Sequence, residues 1–353
     1  MSFQDSPDYA TLARVLRDPD QIDRLSPEAL SRLLDAASAA RLLGWAAPRC
    51  RRAQAARDAP AWLHDRLQAA DAQVTSSERA IRWEINRLTR AFYGTGQRWI
   101  LLKGAGYVAA GLPPGTGRRV ADIDVLVPRG DLANVERLLH DHGWEFPTLD
   151  PYDERYYREW MHELPPMVHR ERKSIVDVHH AILPGTSRLR PASERLLERA
   201  VSAGDVLVLC PAHMVLHAAA HLFHDGEIAG AIRDLVDLDQ LLRSFAREDG
   251  FWDDLLREAR ALDLTRPAYY AVRYTRRWFG TPVPESVLRE IHSWAPPAPV
   301  NALMDALVGR SIATAAGRTS SFGVFALYVR SHWLRMSPLR VVTHLTRKAL
   351  RQR

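Results

Sequence analysis

The sequence predicts an α+β protein in which a small α/β core lies between two helical regions. Residues 1–95 carry apolar side chains at helical spacing, residues 96–192 alternate short apolar runs with short helices, and residues 193–353 return to helical spacing. Strands separated by helices within about a hundred residues are typical of a compact α/β unit. Because no low-complexity linker separates the regions, we expect both helical regions to pack on the core.

Composition sets broad limits on the function. Of the 353 residues 46% are hydrophobic and 25% charged, as in ordinary globular proteins. No apolar run approaches the ~20 residues that cross a bilayer, so stable membrane insertion is not expected. The N-terminus lacks the pattern of a secretory signal, and two cysteines do not suggest a disulfide framework, so we expect a cytoplasmic location. The net charge of +6 favours polyanionic partners without choosing among them.

Lysine is rare in this chain. Of 48 basic residues only Lys103, Lys173 and Lys348 are lysine, a bias typical of GC-rich bacterial genes. A lysine that persists against this bias is a candidate for a site where a compact ammonium works better than a planar guanidinium. Lys103, in the segment LLKGAG, is such a candidate.

Helix signals dominate the first region. Ser26 and Pro27 predict the start of a helix, and apolar residues follow at i, i+3, i+4 and i+7 spacing through Ala37. A long helix is predicted from about Thr75 to Tyr93, where Gly94 ends it.

The core is predicted to hold three strands, RWILLKG, VADIDVLV and KSIVDVHHAI, with helices AGYVAAGL and GDLANVERLLHDHG between them. In the third region PAHMVLHAAAHLFH is apolar nearly all round, which predicts a buried helix, and IAGAIRDLVDLDQLLRSFA predicts another. The basic tail, residues 327–353, either lies on nucleic acid or anionic membrane, or is the solvated face of packed helices. The lack of a recognisable nucleic-acid-binding motif favours packed helices.

Asp122 and Asp124 occupy alternate positions of VADIDVLV, so they share one face of the strand while Ile123 and Val125 point to the other. Two carboxylates on one face repel each other, and a divalent cation such as Mg²⁺ removes that conflict. Asp177 supplies a third carboxylate on the later strand. Three carboxylates on adjacent strands are enough to hold two metal ions, which clamp the attacking and leaving oxygens of a phosphoryl displacement.

The segment Lys103–Gly106 forms a glycine-bearing turn between a strand and a helix. Such a turn presents backbone N–H groups to an anion. Lys103 adds a point charge, and Arg118 or Arg119 adds another. Phosphoryl transfer depends on positioning and charge neutralisation, and these residue types supply both.

Four motifs follow one another in the chain: an apolar strand ending in Lys-Gly, an arginine, D-I-D within a strand, and a later D-x-H. This order resembles the uncharacterised nucleotidyltransferase family of the DNA polymerase β-like superfamily. The resemblance is clearest across residues 98–183. It implies a mixed sheet with flanking helices and Mg²⁺-dependent transfer of a nucleoside monophosphate from an NTP to an acceptor hydroxyl. Mn²⁺ is the alternative ion, ATP is the NTP expected first, and the acceptor is an unidentified small molecule, protein or RNA.

The resemblance also implies a role for each site residue. Asp122 and Asp124 match the metal-binding pair, and Asp177 matches the third carboxylate, which acts as the base or bridges metals. Nucleotide binding is expected of four residues, Lys103, Gly104, Ala105 and Arg118.

Two other functions fit parts of the pattern. A metal-dependent glycosyltransferase also uses D-x-D after a strand to hold a nucleotide-sugar, but this explains neither the Lys-Gly turn nor Asp177. A non-catalytic module would keep the fold and bind nucleotide or a partner through its basic helices. The intact carboxylates argue against it.

Several histidines leave alternatives open. Four recur on one helix face, His213, His217, His221 and His224. One interpretation is that these imidazoles are buried and bonded to carboxylates such as Asp234 or Asp237. A second is that His217 and His221 contact the substrate, and a third is that the histidines bind a metal ion. The segment HAAAH lacks the glutamate of H-E-x-x-H, so a zinc protease is not expected.

His179 shares a strand face with Asp177. It either orients that carboxylate or contacts the substrate, or it simply packs within the strand. His162 and Glu163 lie in an irregular segment, which either caps the acceptor pocket or packs on the sheet as an aromatic loop.

Overall fold

A computed structural model describes residues 7–57, 59–118, 121–148, 157, 161–225, 231–311 and 322–335. Within these residues a seven-stranded mixed sheet is flanked by helices, which confirms the predicted α+β class. No helix in the described ranges is both long and apolar enough to cross a membrane. The predicted tail falls mostly outside the described residues, which end at Arg335.

The sheet has the order β3-β4-β5-β2-β1-β7-β6. Its strands are β1 (Ile100–Leu101), β2 (Asp122–Leu126), β3 (Trp144–Glu145), β4 (Met167–His169), β5 (Ile175–His179), β6 (Val201–Ala203) and β7 (Val206–Val208). β2 pairs in parallel with β5, and β1 pairs in parallel with β7. The remaining neighbours are antiparallel. The sheet is therefore mixed, and its parallel centre, β5-β2, carries the acidic residues.

The N-terminal helices are α1 (Pro7–Arg17), α2 (Pro27–Ala39), α3 (Leu43–Arg52), α4 (Gln54–Arg57) and α5 (Ala61–Phe92). α2 begins as predicted, because the Ser26 side chain accepts a hydrogen bond from the Ala29 amide and Pro27 opens the helix. α5 begins well before the predicted Thr75. Its first half buries only a narrow stripe that includes Leu63 and Leu67, so the apolar signal there is weak.

Two helices lie within the core, α6 (Lys103–Ala109) and α7 (Leu132–Asp141). The C-terminal helices are α8 (Ser193–Glu198), α9 (Pro211–Ala220), α10 (Ile232–Phe245), α11 (Phe251–Ala261), α12 (Thr265–Phe279), α13 (Glu285–His292), α14 (Ala298–Ser311) and α15 (Phe322–Arg335). α9 is buried nearly all round, as predicted, and contacts α10, α11 and α12. A π-helical turn, His221–Asp225, continues it.

The hairpin β6-β7 lies in a segment that the sequence predicted to be helical. Gly204, with a φ of +64°, makes the turn between the two strands. β7 then pairs with β1, so the third region of the chain contributes to the core sheet. Strands of three residues carry too little alternation to be separated from a helix by periodicity.

A buried ion cluster ties α8 and α9 to α11. Glu258 is fully buried and accepts hydrogen bonds from Arg195 at 2.6 and 2.7 Å and from His213 Nε2 at 2.8 Å. Arg199 Nη1 lies 2.5 Å from its other oxygen. Although burial raises the pKa of Glu258, these donors lower it to about 2. The carboxylate is therefore charged at neutral pH and compensates Arg195 and Arg199, while burial lowers the pKa of His213 so that it donates as a neutral imidazole.

We expect Glu258→Gln to lower the free energy of unfolding by about 1.5–3 kcal/mol at pH 7, because the partly exposed Arg195 and Arg199 lose a charged acceptor. A lowered folded pKa gives stability that is present above the unfolded value of 4.5 and lost as the pH falls toward 2. The difference between variant and parent should therefore shrink at pH 3. Urea unfolding measures both values, with the exposed Glu248→Gln as control. An effect of E258Q no larger than the control would contradict this role.

Candidate active site

Three aspartates meet at the parallel pair β2-β5. The register sets Asp124 directly beside Asp177, and Asp122 beside Ile175. Asp122 is half-exposed, whereas Asp124 is only 5% exposed. The backbone thus brings together the three carboxylates that the sequence singled out, on the adjacent strands that were expected.

Asp124 is held by two donors. Lys103 Nζ lies 2.8 Å and His179 Nε2 lies 2.9 Å from the same oxygen, Oδ1. Burial by itself would raise the pKa of Asp124, but the Lys103 charge and the His179 hydrogen bond outweigh it and hold that pKa well below its ordinary value. Asp124 is therefore a fixed anion within the sheet.

Lys103 reaches Asp124 from the start of α6. Its φ of +42° lies in the left-handed region, which costs a residue with a Cβ about 1–2 kcal/mol. The next turn packs closely on β1, since a Cβ at Gly106 would stand 2.9 Å from the Leu101 carbonyl oxygen. Tight packing and the ion pair together hold a lysine with strained backbone just after the carboxyl end of β1.

Asp177 has an oxygen atom without a hydrogen-bond donor in the described part of the chain. Its Oδ1 is buried and has no hydrogen-bond partner among the described residues. Burial, and then the negative charges of Asp124, Glu163 and Asp122, raise its pKa to about 7. An orphaned buried oxygen beside further carboxylates has the hard oxygen donors that a divalent cation takes, so these residues fit that ion in donor type.

Glu163 is a fourth acid that sequence reasoning did not include among the site residues. Glu163 pairs with His179 across an isolated β-bridge, and its Oε2 lies 3.3 Å from His179 Nδ1. His162 packs against the same ring, with centroids 5.2 Å apart. Ligand atoms of these three residues lie within 4.8 Å of one another, close enough to hold an ion. Of the aspartates, His179 Nε2 contacts Asp124, whereas orientation of Asp177 was one of the roles that the sequence left open.

A cleft of about 580 Å³ opens beside the carboxylates. Lys103, Gly104, Asp122 and Asp124 line it, together with His221. Ala105 is buried and does not line the cleft.

Three arginines add positive charge to this cleft, Arg41, Arg118 and Arg233. Arg118 is nearly buried, forms an ion pair with Asp237 and lies 5.4 Å from the centroid of the Tyr107 ring. It is thus anchored to α10 rather than freely projecting. Arg41 and Arg233 were not predicted, because they lie on segments distant in sequence from the D-x-D motif.

The chain matches the family described as "Uncharacterised nucleotidyltransferase" over residues 26–280. It belongs to that family. The matched span runs from the cap of α2 to the end of α12 and contains the three aspartates and Lys103. Membership indicates NTP-dependent transfer as the class of activity, as the sequence resemblance implied. No curated protein matches the chain.

In this nucleotidyltransferase-family chain the four histidines at helical spacing lie in different surroundings. His213 is buried and bonded to a carboxylate, as one alternative held, and that carboxylate is Glu258; His224 Nε2 lies 2.7 Å from Ser187 Oγ. His217 is buried behind the cleft, where burial and the charge of Lys103 hold its pKa well below the ordinary value. His221 alone of the four lines the cleft.

Replacing Asp177 by asparagine should stabilise the metal-free protein. The folded chain keeps the Asp177 proton up to about pH 7, whereas an ordinary carboxyl releases it near 3.8, so the free energy of unfolding falls as the pH rises between these values. The gain from Asp177→Asn should be about 2.7 kcal/mol larger at pH 8.5 than at pH 5, at about 1.36 kcal/mol for each of the two pH units between 5 and 7.

Urea unfolding in EDTA measures this gain. The control is Asp249→Asn, an exposed aspartate in the loop after α10. A gain from D177N that is the same at both pH values would show that Asp177 titrates normally.

Proposed function

We propose that the chain is a Mg²⁺-dependent nucleotidyltransferase that moves a nucleoside monophosphate from an NTP, ATP first among them, to an acceptor hydroxyl. The observation that supports this most is the register that sets Asp124 beside Asp177, with Asp122 at the mouth of a cationic cleft. Family membership supports the same class of transfer.

Asp122, Asp124 and Asp177 would hold the divalent cation, Mg²⁺ or alternatively Mn²⁺. When bound, the ion neutralises negative charge on the phosphates and orients them. Asp124 keeps its charge and its orientation through Lys103 and His179. His179 therefore serves as a positioning residue for the carboxylate.

The triphosphate would lie in the cleft that carries Lys103, Arg41 and Arg233. Gly104, in the first turn of α6, lines the cleft and would offer its backbone N–H group to a phosphate, whereas Ala105 does not line the cleft. Arg118 adds positive charge from its ion pair with Asp237. His221 lines the cleft and would contact the nucleotide, whereas His217 is buried and does not line the cleft.

Asp177 acts as the base for the acceptor. Burial and the neighbouring acids raise the pKa of Asp177 to about 7 without the ion, and a bound cation would lower it, so Asp177 would accept the proton as a charged carboxylate. The acceptor oxygen bonds to the α-phosphorus, the bond from that phosphorus to the bridging oxygen breaks, and pyrophosphate leaves. The proton of the acceptor hydroxyl passes to Asp177.

Calorimetric titration with Mg²⁺ and a non-hydrolysable ATP analogue tests the proposal. We expect one-to-one binding that the double variant Asp122→Asn, Asp124→Asn weakens at least 100-fold. Equal binding by the double variant would refute the proposed site. A thermal-shift comparison with UDP-sugars separates the glycosyltransferase alternative, since only a ligand of the native state raises the unfolding temperature.

Lys103→Gln should raise the KM for NTP and lower kcat/KM by roughly 10- to 100-fold, as expected when about 1.4–2.7 kcal/mol of charge stabilisation is lost. Lys173→Gln is a matched control, because Lys173 is also a lysine with positive φ (+59°) but does not line the cleft. Steady-state kinetics with labelled NTP and host lysate as the acceptor source measures the effect. Equal losses in both variants would point to backbone strain rather than charge.

A further inference from the structure

A second groove, of about 680 Å³, meets the nucleotide cleft at Asp122. Ser77, Ala121 and Asp122 line both. The groove runs between α5 and the strands β2 and β5. Lys103 does not line this groove, so an acceptor in it would reach Asp122 without occupying the part of the cleft that carries Lys103.

Trp83 stands in the wall of this groove and is 55% exposed. The Arg87 guanidinium carbon lies 4.2 Å from the centroid of its ring, so the indole is held in place by a cation–π contact. A large aromatic side chain exposed this far in a groove next to a carboxylate contributes little to the core. It is instead a surface on which a planar group can stack.

Trp83 belongs to a stripe on α5 that we call the arginine–tryptophan stripe, made of Arg79, Trp83, Arg87 and Arg90. At 100° per residue these positions lie within about 80° of one another on the helix, and they extend for about 16 Å along its axis. Arg79 and Arg90 are exposed and have no ion pair among the described residues. The stripe therefore offers unpaired positive charge on both sides of an exposed aromatic ring.

The acids of the same helix segment do not neutralise the stripe. Glu78 accepts a hydrogen bond from the Gly117 amide at 2.6 Å. Glu84 is engaged by Arg172 Nε at 2.9 Å and by Ser174 Oγ at 3.0 Å. Glu78 is thus engaged by the loop before β2 and Glu84 by the turn before β5, so neither acid pairs with Arg79 or Arg90.

We infer that a single-stranded nucleic acid binds along the arginine–tryptophan stripe, with its end in the groove beside Asp122; as an acceptor assignment this rests on the proposed function. Arginines that follow a phosphate backbone and an aromatic ring on which a base stacks are the two features of such sites. The stripe continues beyond the groove, so it suits a strand rather than a small molecule. The terminal hydroxyl would then be the group that receives the nucleotide.

Fluorescence anisotropy with the full chain and a 5′-fluorescein, 12-nucleotide RNA tests the binding. Trp83→Ala should weaken binding about 5- to 100-fold, the range for loss of one stacked base. Its control, Trp62→Ala, removes another exposed tryptophan of the same helix that lies outside the groove. Arg79→Gln should lower the slope of log K against log salt by about 0.7, and the control Arg266→Gln, an exposed arginine on α12, should leave the slope unchanged.

A covalently closed circle of the same RNA tests the placement of the end, and it should compete at least 10-fold less well than the linear strand. Equal competition by the circle, or equal losses in Trp83→Ala and Trp62→Ala, would overturn the inference. The titration with the ATP analogue decides the proposed function separately. If the chain binds the nucleotide but its RNA binding does not depend on the stripe, only the acceptor assignment is refuted. If RNA binding depends on the stripe but the nucleotide does not bind, only the proposed transferase function is refuted.

Discussion

The parallel pairing of β2 with β5 is the constraint on which the site depends. It sets Asp124 beside Asp177 in the middle of the sheet, where neither carboxylate can move away from the other. The two carboxylates differ in how their charge is stabilised. Asp124 accepts hydrogen bonds from both Lys103 and His179, whereas the buried Oδ1 of Asp177 has no donor among the described residues. One aspartate is therefore a fixed anion and its neighbour a carboxyl with a pKa near 7. Two acids of the same type acquire different chemistry from their surroundings.

The helical regions complete what the sheet begins. α6 delivers Lys103, α10 anchors Arg118 through Asp237, and the turn after α9 places His221 on the cleft wall. α5 forms the border between the cleft and the second groove. The hairpin β6-β7 extends the sheet beside β1, the strand that leads into Lys103. Both helical regions thus contribute walls to one site built on a small sheet.

Local patterns of the sequence predicted the local parts of this site. Strand alternation was enough to set Asp122 and Asp124 on one face, and the Lys-Gly turn located Lys103. Glu163 was not assigned to the site, because it lies in an irregular segment and meets His179 only through an isolated bridge. The pairing of His213 with Glu258 depends on helix packing across 45 residues, and no spacing rule contains that information. Contacts between distant segments require the fold before they can be named.

The proposed role of the three aspartates is to hold a divalent cation next to a nucleotide. Anomalous diffraction from a crystal grown with Mn²⁺ and a non-hydrolysable ATP analogue locates such an ion. We expect an anomalous peak within bonding distance of Asp122, Asp124 and Asp177, with the analogue's phosphates in the cleft that carries Lys103. A peak at His162, Glu163 and His179 with none at the aspartates would contradict it.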